Sequence, residues 1–62
     1  MKLIDRSWIF EELHQYGYRY KDIGDYLGYS ETTVIFFIKG KRVMPFDVLM
    51  QLLTLITLER RH

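Results

Sequence analysis

The chain has no cysteine, so neither a disulfide nor a thiolate metal site can brace it. Its two histidines, His14 and His62, stand far apart with no companion ligands, which argues against structural zinc. Charge of one sign is also scarce. The formal net charge is +1, so partner choice must rest on local patches rather than on the total. No apolar run approaches the ~20 residues of a membrane span. The longest are Val34 to Ile38 and Val48 to Leu58, and Gln51, Thr54 and Thr57 interrupt the second. The N-terminus lacks the long apolar region of a signal peptide, and a cytoplasmic address is the default expectation. Catalytic groupings are missing too. There is no glycine-rich phosphate loop and no Ser–His–acid set, and nothing joins Asp22 and Asp25 into a metal site. The expectation is a protein that is not an enzyme and uses no metal or cofactor.

What the 62 residues do contain is core material. They are 48% hydrophobic and 16% aromatic, too apolar for a disordered chain. At this length they make one small domain, residues 1–62, that buries a modest fraction of its surface. The periodicity predicts an all-α fold. A first helix runs from about Ser7 to Tyr16, with Asp5 or Ser7 as its cap. Ile9, Leu13 and Tyr16 recur at helical spacing, Phe10 lies alongside, and Gly17 ends the element. A second helix covers about Tyr20 to Leu27, with Ile23, Tyr26 and Leu27 inward. Gly24 lowers its propensity, which makes sense if another helix crosses closely there. Gly28 stops this helix and Ser30 caps the next, which carries Glu31 in its first turn and ends at Lys39 and Gly40. A basic loop of Lys41 and Arg42 leads to Pro45, which suits the start of a fourth helix. There Phe46, Leu49, Met50, Leu53 and Ile56 form one stripe, broadened by Leu52, Leu55 and Leu58.

Two short helices joined through Gly28-Tyr29-Ser30 have the form of a helix-turn-helix, with its core at about residues 20–39. Such a pair reads double-stranded DNA with its second helix in the major groove. Ser30, Glu31, Thr32 and Thr33 stand at the N-terminus of that helix. Threonine offers a hydroxyl to base edges and a methyl to thymine, and Glu31 offers an acceptor to a cytosine amino group. Val34, Phe37 and Ile38 fit the inward face. Ile35 and Phe36 point away from it, towards thymine methyls, towards a protein partner, or into the core of a rotated helix. Lys39, Lys41 and Arg42 are placed for phosphates on one side, and Arg19, Tyr20 and Lys21 open the bracing helix on the other.

From about Arg19 to Leu53 the chain resembles the lambda-repressor/Cro-like, XRE-type helix-turn-helix family. The matching residues are Ile23-Gly24, Leu27-Gly28-Tyr29-Ser30, Thr33-Val34 and Gly40-Lys41-Arg42, then Pro45 ahead of an apolar helix. The family usually has alanine where Gly24 stands and a small aliphatic residue at Tyr29. The resemblance implies a compact bundle of four or five helices acting as a dimer on an inverted repeat, as a transcriptional repressor or regulator of phage or plasmid type. It places base contacts at Glu31, Thr32, Thr33 and Phe36. The family's phosphate-clamping glutamine falls on Tyr20, and a common acidic residue near the end of the reading helix is replaced by Ile38.

Leu52, Leu55, Ile56 and Leu58 are the expected dimer seam, with Trp8 and Phe10 as a second candidate surface. Arg60, Arg61 and His62 read as a tail or as further phosphate contacts. The rival function is a protein-binding module on the same fold, inhibitor or antitoxin-like, in which Ile35 and Phe36 meet a protein partner.

Overall fold

The computed structural model describes residues 5–61, and His62 lies outside them. Four α-helices follow in order, α1 Ser7–His14, α2 Tyr20–Leu27, α3 Glu31–Lys39 and α4 Phe46–Arg60. The all-α bundle expected from periodicity is what the chain forms. α2 packs against α3, and α1 bridges α3 and α4. Ten buried apolar side chains make the core, and every helix contributes. They are Ile9 and Leu13 from α1, Ile23 from α2, Val34, Phe37 and Ile38 from α3, and Val48, Leu52, Leu55 and Ile56 from α4.

α1 is shorter than expected. Asp5 supplies its N-terminal acceptor, taking the Ser7 amide at 2.8 Å. The helix ends at His14, and Gly17 turns the chain at φ 95°. Tyr16 falls beyond that end and is exposed, so it contributes nothing to the buried stripe.

α2 begins and ends where turn chemistry places it. Asp22, in its first turn, reaches back to accept the Arg19 amide at 2.9 Å, which satisfies one orphan donor. Gly28 closes the helix in the left-handed region, φ 82°. The Gly24 carbonyl then takes both the Gly28 and Tyr29 amides, at 2.8 and 2.9 Å. A Cβ on Gly24 would sit 2.6 Å from the Tyr29 carbonyl oxygen. The close approach inferred at Gly24 is therefore real: the turn's backbone at Tyr29 makes its tightest point, and the backbone nitrogen of Glu31, the first residue of α3, follows at 3.5 Å. Tyr26, expected inward, is exposed, and Ile23 alone supplies the fully buried side chain of α2.

α4 corrects the sequence reading most. Its buried residues are Val48, Leu52, Leu55 and Ile56. Phe46 is 75% exposed and Met50 45%, so two leading members of the expected stripe face outward. Ile56 of that stripe is buried and Leu49 still packs against the core, so the inner face is the expected one rotated by roughly 100°, towards Val48, Leu52 and Leu55. Apolar residues surround α4 too evenly for spacing to choose the inner face. The same rotation removes the expected dimer seam. Leu52, Leu55 and Ile56 are core residues of the monomer, and of the four only Leu58, 49% exposed, is free to meet a partner.

Candidate nucleic-acid interface

α3 is held at both ends. At its start the Ser30 hydroxyl oxygen accepts the Thr33 amide at 3.2 Å and shares a 2.8 Å hydrogen bond with the Thr33 hydroxyl. At its finish Gly40 turns left-handed, φ 76°, and the Phe36 carbonyl accepts the amides of Lys41 and Arg42 at 2.9 and 3.2 Å. The Arg6 amide donates to the Ile38 carbonyl at 2.6 Å and ties the residue before α1 to the same end. Val34, Phe37 and Ile38 fix the inner face in the core.

These anchors decide what α3 presents. Thr32, Phe36 and Lys39 lie at i, i+4 and i+7, on one outward strip, and all three are exposed. Glu31 is exposed beside Thr32, and Ile35 is half-buried at the margin. Along the strip the chemistry passes from hydroxyl to aromatic ring to ammonium. Because the backbone amides of Lys41 and Arg42 are fastened to Phe36, their exposed side chains leave from fixed points at the basic end.

Two expected base or phosphate contacts are already engaged. Thr33 is half-buried and its hydroxyl belongs to the cap of α3. Ser30 is exposed, but its oxygen serves that same cap. On the bracing side, Arg19 and Lys21 are exposed, and Arg19 forms a 3.5 Å ion pair with Asp22. Tyr20 is half-buried, with its ring stacked on Phe10 at a centroid distance of 3.9 Å and an interplanar angle of 6°. Phe10 also stacks on His14, at 5.1 Å. Burial, reinforced by the negative charge of Asp5, raises the Tyr20 pKa.

Asp5 is a participant that spacing did not reveal. Its pKa is lowered by hydrogen bonds from the Ser7 side chain and amide, with a further contribution from the Lys39 charge. Its carboxylate thus acts on Lys39 at the end of α3 and on Tyr20 at the start of α2. Its charge partly offsets that of Lys39 at this end of α3. No residue pattern announces an electrostatic influence across more than thirty positions of chain.

The basic tail divides. Arg60 forms a 2.9 Å ion pair with Glu12 of α1, so it fastens α4 rather than waiting for phosphate, while Arg61 is exposed. Among the described residues, no group of three His, Cys, Asp or Glu comes together as metal ligands, and no helix is long and apolar enough to cross a membrane. Comparison with family models, curated proteins and solved structures returned no match.

Proposed function

We propose that the chain binds double-stranded DNA through the outward strip of α3 and regulates transcription at the site it recognises. The observation that carries this reading is the exposure of Glu31 and Thr32 at the tip of α3, on a helix whose other end is followed by the anchored Lys41 and Arg42. Thr32 offers its hydroxyl to a base edge and its methyl to a thymine, and Phe36, one turn along, offers a ring to the next thymine methyl. Lys39, Lys41 and Arg42 meet phosphates on one flank. Lys21 and the Tyr20 hydroxyl meet them on the other, at the positive end of α2. Glu31 lies in the first turn of α3, where its charge complements the helix dipole, and it selects against backbone on its side of the groove.

Fluorescence anisotropy with a labelled duplex tests this. Binding weakens as salt rises, and replacing Lys41 and Arg42 together by alanine lowers the slope of log K against log salt by about 2. Binding that is absent, or indifferent to salt, contradicts it.

A second reading is supported by Phe36, a large apolar side chain 40% exposed beside the half-buried Ile35. In it the same strip docks on a protein. The Phe36→Ala variant separates the two. On DNA it changes which sequences are preferred and leaves the salt slope alone. On a protein surface it removes binding, and the basic residues do not matter.

A further inference from the structure

The outer face of α4 is an unpartnered apolar surface that runs along the helix. Phe46, Met50 and Leu58 are exposed there, and Leu53 is half-buried between them. Met50, Leu53, Thr54, Thr57, Leu58 and Arg61 line a shallow groove along it. The two threonines do not make this face polar. The Thr54 hydroxyl donates to the Met50 carbonyl at 2.8 Å and the Thr57 hydroxyl to the Leu53 carbonyl at 2.9 Å. Each hydroxyl proton is used inside the helix, so covering the face leaves no unpaired donor, and what it offers a partner is largely methyl and methylene surface.

The charges on this face sit only at its ends. Asp47 lies in the first turn of α4 and Arg61 just past its last, and both are exposed. Each is seven positions from Thr54, while Met50 and Leu58 are each four positions from it. A twofold axis passing at Thr54 therefore superposes an antiparallel copy of this helix so that Met50 meets the partner's Leu58 and Asp47 meets the partner's Arg61. The face is complementary to itself in shape class and in charge, as a twofold interface requires. A parallel pairing would set like charges against each other.

We propose that two copies of this chain associate through antiparallel α4 helices, seamed by Phe46, Met50, Leu53, Thr57 and Leu58 and closed at both ends by Asp47–Arg61 ion pairs. This seam lies on the other side of α4 from the buried Leu52, Leu55 and Ile56, and it stands whether or not the chain binds DNA.

Sedimentation equilibrium without DNA tests it. The wild-type chain forms a concentration-dependent dimer, and Leu53→Asp sediments as a monomer with an unchanged helical circular dichroism spectrum. Asp47→Arg and Arg61→Asp each break both symmetric pairs and weaken the dimer about two- to thirtyfold, the range of two exposed ion pairs, and the double variant regains the wild-type constant. Met50→Asp gives a second monomer should Leu53→Asp lose its fold. A wild-type chain that stays monomeric at high concentration overturns the proposal, as does a dimer that survives both apolar substitutions. A double charge variant weaker than either single one overturns the antiparallel pairing.

Discussion

α3 and α4 solve the same packing problem and present opposite chemistry to the outside. Each buries a strip of apolar side chains in the common core, all aliphatic in α4 and including Phe37 in α3. α3 leaves outward a short strip, Thr32, Phe36 and Lys39, that runs from polar to basic. α4 leaves a longer one that is apolar along its middle and charged only at its ends. The first suits a ridged polyanion with a patterned groove. The second suits a copy of itself. In the proposed reading a chain of this size gives its two exposed surfaces to two different partners, and the buried sides of the same helices hold them in place.

The largest effect that probes this division lies within α4 itself. Leu52 is fully buried and Leu53, its neighbour, faces outward in part. Leu52→Ala lowers unfolding free energy by about 2–5 kcal/mol in urea titration, whereas the exposed Leu58→Ala lowers that of the monomer by less than about 1 kcal/mol. Equal losses at the two positions would erase the distinction between inner and outer faces.

Next comes the seat of α3. Gly24→Ala gains helix propensity but drives a methyl into the Tyr29 carbonyl at 2.6 Å. The net cost is about 1–3 kcal/mol, since backbone rather than a flexible side chain must yield. A smaller loss is expected at the cap. Ser30→Ala removes the acceptor of the Thr33 amide and costs about 1 kcal/mol of stability. A Ser30→Ala chain as stable as the wild type would show that the cap is idle.

The smallest effect is that of pH. Hydrogen bonds hold Asp22, through the Arg19 amide, and Asp5, through Ser7, below the ordinary 3.8. Because the folded values are depressed, their contribution is present above that pH and fades as pH falls through the folded values. Tyr18 behaves in the opposite sense. Burial, then its 3.1 Å hydrogen bond to Glu59, raises it above 10.0. Its contribution is complete below that pH and is lost as pH rises through the folded value. Urea midpoints measured across both limits should fall at each end, and Asp22→Asn should flatten the acid limb.

The same contrast explains what could be read from residues alone. The boundaries of α2 and α3 were legible because glycine and serine act locally. Gly28 and Gly40 take positive φ, and Ser30 caps the very next turn. The buried Ile9 and Leu13 of α1 and Val34, Phe37 and Ile38 of α3 followed from helical spacing, whereas Tyr16 fell outside its helix and spacing alone left Ile35 and Phe36 open. With apolar residues on nearly every side of α4, its inner face is chosen by what α1 offers it, and that information is not local. The candidate interface divides likewise. The exposure of Thr32 and Lys39 at the two ends of α3 was to be expected from the sequence, whereas the outward turn of Phe36, the engagement of Thr33 by Ser30, the stacking of Tyr20 on Phe10 and the influence of Asp5 arise from three-dimensional neighbours.

The exposed strip of α3 is tested most directly by selecting duplexes from a random pool with the folded chain. The account predicts enrichment of a short motif arranged as an inverted repeat, lost when Thr32 and Phe36 are both changed to alanine. A folded chain that enriches no sequence, or one whose selected motif survives that double change, contradicts it.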